Sequence, residues 1–221
     1  MIPGARIVVL GRQGAGKGTQ CVRLARHYVV PHISTGDILR AAVKSDTPLG
    51  QKAKEYMDRG DLLPDEVMVG IIEERLAQDD TRRRGFVLDG FPRTVAQAIA
   101  LLEVLADDGI DLAVDLHVPI EAALERLAGR RVCRDCGTNY SLEVRPIRDW
   151  TCDNCGGDVI QRADDTESAI RRRLELYEEQ TSPLMSWFAE RDLLAVVAGQ
   201  GAPDDVTARL IEVIDSRVGL A

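Results

Sequence analysis

A short β-branched run, Arg6-Ile-Val-Val-Leu10, passes directly into Gly11-Arg-Gln-Gly-Ala-Gly-Lys-Gly18-Thr19. This junction constrains the chain more than any other stretch. The run suits a strand buried on both faces. The glycine pattern, Gly, four residues, then Gly-Lys, is that of a loop whose backbone N–H groups wrap a phosphate. A helix expected from Thr19 to Tyr28 would add the positive end of its dipole, and Lys17 a point charge. Gly14, Ala15, Gly16, Lys17, Gly18 and Thr19 are therefore the candidate phosphate-binding residues. Gly18 stands where a serine or threonine usually follows the lysine, so the hydroxyl that would ligate Mg²⁺ is absent there. The metal is then expected to be held by nucleotide phosphates and water, with Asp89 as a water-mediated partner at a strand's end.

Further strands are expected at Gly85–Asp89, Leu112–Val118 and Leu193–Val197, with helices over Asp65–Gln78, Thr94–Leu105, Ile120–Leu127, Thr166–Arg191 and Asp204–Val218. This alternation predicts an α/β fold with a parallel sheet covered on both faces. Residues 36–64 read as short helices in a polar stretch, a candidate second insertion. Residues 130–162 break the pattern with cysteines and paired glycines and read as a small inserted domain.

The formal net charge is −8, which argues against broad binding to phosphate backbones. An anionic ligand must then be met by local arginine clusters. Arg40, Arg93, Arg126, Arg130, Arg131, Arg162 and Arg171 sit near loop ends or beside the insertion, whereas Arg172 and Arg173 read as helix-surface charges. Guanidinium groups suit bidentate phosphate contacts. His27, His32 and His117 are scattered and pair with no nucleophile. A phosphate monoester acceptor is anionic near neutral pH and needs no general base. Catalysis then reduces to alignment and charge neutralisation under a lid that excludes water. No apolar run approaches the roughly 20 residues a membrane span needs, and the N-terminus lacks a signal-peptide layout. The expected location is the cytoplasm, with no membrane partner.

Cys133-x2-Cys136, fifteen residues, then Cys152-x2-Cys155 is a tetrahedral zinc pattern, with Gly137 and Gly156 following the two pairs. Structural zinc is the expectation, with iron or an empty reduced site as alternatives. Four thiolates leave no open position for catalysis. A nucleic-acid ribbon would have this shape, but Arg134, Arg145 and Arg148 are offset by Asp135, Glu143, Asp149, Asp153 and Asp158. Cys21 reads as a small buried apolar residue.

Together GRQGAGKGTQ, ISTGDILRAAV, LDGFPRTVAQ, LERLAGRRV and QRADDTESAIRRRLELY resemble adenylate kinase, in its long-lid bacterial type with a metal-binding insertion. The likeness runs from residue 5 to about 185. It implies a P-loop NTPase-like core over 1–221, with a helical AMP-binding insertion at 34–64 and a zinc-ribbon lid at 130–162. It also implies the reaction Mg·ATP + AMP = 2 ADP, with ATP, AMP and ADP as ligands, no nucleic-acid partner and a monomeric state. Carried over by position, Lys17 and the loop hold the ATP phosphates, Arg126 lies against the ATP base and Asp89 orders the magnesium waters. Arg93 and Arg130 bridge the donor and acceptor phosphates, joined by Arg162 and Arg171. Arg40 binds the AMP phosphate, Thr35 and Gln97 contact its adenine, and Gly90 lines that site. Thr94 and Gln97 fit the adenylate version of the Phe-Pro-Arg motif. Alternatives are another nucleoside monophosphate as acceptor, or a zinc-ribbon nucleic-acid binder switched by ATP. Two positions depart from the family pattern: Gln13 replaces a common proline, and Ser141–Pro146 replaces the usual lid tip. Gln13 is expected to soften the turn without removing a phosphate contact.

Overall fold

The computed structural model describes residues 4–162 and 164–219 and leaves the side chain of Asp107 undescribed; the ends of the expected 1–221 core, 1–3 and 220–221, lie outside it. The elements follow in the order β1 (Arg6–Leu10), α1 (Lys17–Tyr28), β2 (His32–Ser34), α2 (Thr35–Lys44), α3 (Pro48–Arg59), α4 (Asp65–Leu76), α5 (Asp79–Arg84) and β3 (Phe86–Asp89). Then come α6 (Val95–Leu105), β4 (Leu112–His117), α7 (Ile120–Gly129), β5 (Arg130–Cys133), β6 (Asn139–Ser141) and β7 (Val159–Ile160). The chain finishes with α8 (Glu167–Leu176), α9 (Pro183–Ala189), β8 (Leu194–Ala198) and α10 (Pro203–Val218).

Five strands form one parallel sheet in the order β2-β3-β1-β4-β8. Helices cover both of its faces, which explains why β1 is apolar throughout rather than alternating. Ile7 and Val9 point to one side, where they pack with Leu24 of α1 and with Leu210 and Ile214 of α10. Val8 and Leu10 point to the other, among Ile72 of α4, Leu101 of α6 and Leu184 and Phe188 of α9. The chain leaves β1 for the β2–β3 side and later returns to the β4–β8 side. The strand order therefore reverses beside β1, and the crevice at the carboxyl ends of the strands opens there, as expected for an open α/β sheet. Gly11–Gly16, Asp89 and the segment after β3 all lie at that edge.

Three differences from the sequence expectation have local causes. The strand β2 is only three residues long and polar at both ends; it exists because Ile33 pairs with Leu88 of β3 and is buried between layers. The short helix α5 lies within a charged stretch, DDTRRR, where the apolar pattern predicts no element. The single helix expected over 166–191 is two helices joined by a π turn at Tyr177–Thr181. Pro183 has no N–H to donate and occupies the first turn of α9, so the helix restarts around it.

Residues 130–160 carry a separate three-stranded antiparallel sheet, β6-β5-β7, where the sequence pattern breaks. Its apolar centre is only Cys133, Cys152 and Val159, flanked by Tyr140 and Trp150. No helix among the described residues is long and apolar enough to cross a membrane.

Leu88→Ala, at a fully buried position of β3, is expected to cost about 3 kcal/mol in a denaturant titration. Ile147→Ala, at a lid position 92% exposed, should stay within about 0.5 kcal/mol of wild type.

Candidate active site

The phosphate loop runs from the end of β1 into α1. At Gly14 the backbone is left-handed, with φ +85°, and a Cβ there would stand 2.4 Å from the Ala123 carbonyl oxygen of α7. Only glycine allows the loop to pass that close to α7. Lys17 Nζ folds back over the loop and donates to the Gly11 carbonyl at 2.6 Å and the Arg12 carbonyl at 3.0 Å. Burial pushes the Lys17 ammonium below its ordinary range; Asp89 opposes that shift, while Arg93 and Arg130 reinforce it.

Asp89 ends β3 beside Lys17. Burial alone would raise its carboxyl, but the His32 imidazole, Lys17 and Arg93 together hold it below the usual carboxylate range. The His32 Nε2 lies 3.6 Å from Asp89 Oδ2. Asp89 Oδ2 would also lie 3.5 Å from a Cβ on Gly18. The space a serine or threonine would fill is thus open in front of an ionised carboxylate. That arrangement fits a magnesium ion held through its waters and leaves room for the ion's phosphate ligands. The Cys21 thiol approaches the same two side chains. It is buried in the core, and burial pushes its pKa well up, as expected of an apolar residue.

The arginines sort themselves by burial. Arg93 follows the cis Phe91–Pro92 bond and is tied by its Nε to the Gly90 carbonyl at 2.8 Å. Burial lowers its pKa, and the charges of Arg173 and Arg40 lower it further. Arg162, after β7, is pushed down to about 10 by burial and by Arg130 and Arg40. Arg130 is held in bidentate contact with Asp165 through Nε and Nη2. Arg40 projects from α2 and is braced by Asp37. These groups face one another across one cleft.

Arg171 is not among them. Its side chain is 73% exposed and pairs with Glu167 one turn away on α8. Arg173, read from sequence as a surface charge, lies in the cleft at 15% exposure, donating to Asp164 Oδ2 at 2.6 Å and to the Met57 carbonyl at 3.1 Å. A helical signal distinguishes the two. Arg173 follows buried Ala169 by four residues and precedes buried Leu176 by three, so it belongs to the inward stripe of α8. Asp164 and Asp165 were also unassigned from sequence, though they adjoin Arg162.

Gln13 does more than loosen a turn. With its amide oriented by its neighbours, Oε1 accepts from Arg130 Nη2 at 3.0 Å and from Arg173 Nη1 at 2.9 Å. It links the phosphate loop to two arginines from distant segments.

Thr35 Oγ1 donates to the Gly90 carbonyl at 3.0 Å. Gln97, one turn into α6, accepts from the Arg93 backbone N–H at 2.8 Å. Arg126 on α7 donates to the carbonyls of Ala15 and Gly199, both at 3.1 Å, which fixes its plane beside the loop. The lid reaches this site as well. Asn139 of β6 accepts from Arg162 at 3.2 Å, and its amide nitrogen would stand 3.5 Å from a Cβ on Gly18. The tip at Ser141–Pro146 turns tightly, with Ser141 Oγ accepting from the N–H groups of Glu143 and Val144.

A model of the adenylate kinase family matches residues 9–193. Adenylate kinases from Geobacter sulfurreducens, Bacillus subtilis and Thermodesulfovibrio yellowstonii are 53%, 51% and 47% identical, covering 95%, 91% and 96% of this chain and 98%, 94% and 100% of their own lengths. The chain belongs to the adenylate kinase family. It is accordingly a phosphotransferase on a P-loop sheet.

Within this adenylate kinase the four lid cysteines bring their sulfurs within 4.8 Å of one another. Cys133–Cys155 and Cys136–Cys152 are each 3.5 Å apart, too far for disulfides and near the roughly 3.8 Å edge of a tetrahedron with 2.3 Å metal–sulfur bonds. Each knuckle closes with a glycine N–H to the carbonyl of its first cysteine: Gly137 to Cys133 at 3.1 Å and Gly156 to Cys152 at 2.9 Å. The Tyr140 hydroxyl donates to Cys152 Sγ at 3.4 Å, an outer-shell brace of the kind metal sites use. The set fits a tetrahedral metal closed to substrate. So small an apolar centre cannot hold this sheet by itself. Cys152→Ser should therefore lose stoichiometric metal by elemental analysis and lower the melting temperature by about 5–10 °C. An unchanged melting curve after chelation would contradict a structural metal.

Proposed function

We propose that this chain carries out the adenylate kinase reaction, ATP + AMP = 2 ADP, by holding the two nucleotides in line and neutralising the transferred phosphoryl group. The observation that carries this reading is the convergence of Lys17, Arg40, Arg93, Arg130, Arg162 and Arg173 on one closed cleft at the strand ends.

Lys17 and the N–H groups of Gly14–Thr19 hold the phosphates of ATP, with Arg126 against its base. Arg40 takes the AMP phosphate, while Thr35, Gly90 and Gln97 line its base. Arg93 stands between donor and acceptor, and Arg130, Arg162 and Arg173 close over them; Arg173 takes the role first given to Arg171. The AMP phosphate is its own nucleophile, so no side chain need remove a proton. Every contribution is then positional or electrostatic. Asp89 is the residue that would hold Mg²⁺, and the ion would supply charge neutralisation at the ATP phosphates when bound. Asn139 and Arg162 bring the lid down over the phosphate loop, excluding water as a competing acceptor. Zinc is the metal we assign to the four cysteines. Cysteines that form no disulfide suit a reducing cytoplasm, where the chain acts as a monomer.

A coupled assay with AMP, CMP, UMP and GMP tests the reaction; it should give ADP from ATP with AMP far above the other acceptors. Absence of ADP from ATP plus AMP would overturn the assignment. Arg173→Ala is expected to lower kcat/KM about a thousandfold, because a charge-assisted contact in a closed site is lost. Arg171→Ala should remain within about twofold of wild type, since its partner is one exposed glutamate. The reverse order would restore the first assignment.

A further inference from the structure

Asp65, the first residue of α4, reaches across to the start of α6. Its Oδ2 accepts from Thr94 Oγ1 at 2.8 Å, and its Oδ1 accepts from Gln97 Nε2 at 2.7 Å. Thr94 is in turn the cap of α6, its hydroxyl accepting from the Gln97 N–H at 3.1 Å. Gln97 is 2% exposed. Its amide is therefore gripped from two sides: Asp65 takes one N–H, and the Arg93 backbone N–H occupies one lone pair of Oε1.

The chemistry of these partners fixes which way the amide points. An ionised carboxylate only accepts, and a backbone N–H only donates. Exchanging oxygen and nitrogen would set Oε1 against the Asp65 carboxylate and Nε2 against the Arg93 N–H. What remains for a ligand is one N–H and one oxygen lone pair, in a fixed order. Adenine offers the complement, a ring nitrogen that accepts beside an amino group that donates. Hypoxanthine and guanine offer the inverse, an N–H that donates beside a carbonyl that accepts. An amide free to turn over would serve either base; a clamped one rejects the second, leaving buried polar groups unpaired.

We propose that Asp65 is a positioning residue that sets the base preference of the monophosphate site by locking the Gln97 amide in its adenine-reading orientation. The proposal rests on the reading of Gln97 as a contact to the acceptor base. Neither carboxylate oxygen of Asp65 is needed to hold ATP, so the effect is confined to one substrate.

Steady-state assays of wild type, Asp65→Ala and Gln97→Ala with AMP and with inosine monophosphate as acceptors test it. Melting curves and the KM for ATP serve as controls. Asp65→Ala should raise the KM for AMP about tenfold and reduce the preference for AMP over inosine monophosphate by a similar factor, with the KM for ATP unchanged. Asp65→Leu, close in size but without an acceptor, serves if the alanine variant does not fold. An unchanged preference in a folded Asp65 variant, alongside a changed one in Gln97→Ala, would overturn the proposal alone. An unchanged preference in Gln97→Ala would overturn the reading of Gln97 and the proposal with it. Losses spread equally over ATP and AMP, together with a lower melting temperature, would mark Asp65 as merely structural and also overturn it.

Discussion

The mutual repulsion of like charges in a confined cleft is the constraint around which the molecule is arranged. Lys17, Arg40, Arg93, Arg130, Arg162 and Arg173 face one another there, and burial disfavours the charged forms of Lys17, Arg93 and Arg162. Asp89, Asp164 and Asp165 offset only part of that charge, and Gln13 adds a neutral acceptor between two of the guanidinium groups. A chain with a net charge of −8 thus concentrates positive potential at one place. Highly charged phosphates relieve it, which is why binding, alignment and charge neutralisation are one event in such a site.

Holding those cations requires a stiff frame, and the sheet supplies it. The two-faced burial of β1 lets the phosphate loop begin from an immobile strand, and α7 packs against the loop so closely that only glycine fits at position 14. The segment after β3 presents Asp89, Gly90 and Arg93 at the same edge. The restart of the helix at Pro183 belongs to this frame too, because Thr181 in the π turn donates to the Arg93 carbonyl at 2.9 Å. A break in one helix thereby braces the backbone of Arg93.

The lid solves a different problem. It has very little apolar material of its own, and four clustered cysteines of a kind that can hold a metal stand where a hydrophobic core would be. The four cysteines stand apart from the cleft, yet β5 begins at Arg130 and the chain leaves β7 toward Arg162. A rigid lid therefore delivers two of the cations, and Asn139 carries it onto the loop at Gly18.

Much of this was legible in the chain. A β-branched run followed by a glycine-lysine loop, and two Cys-x-x-Cys pairs at a fixed spacing, dictate their own local geometry, because backbone N–H groups and thiolates have few other ways to satisfy a phosphate or a metal. The inward stripe of α8 was also written in the sequence, though three consecutive arginines disguised which one it selected. What only the tertiary structure decided is which charges meet. The pairing of Asp65 with Gln97, of Gln13 with Arg130 and Arg173, and the three-residue strand β2 depend on neighbours 32 to 160 residues away in the chain. Local propensity carries no information about such partners. Whether a surface-looking arginine becomes part of a buried cleft depends on what the packed fold sets against it.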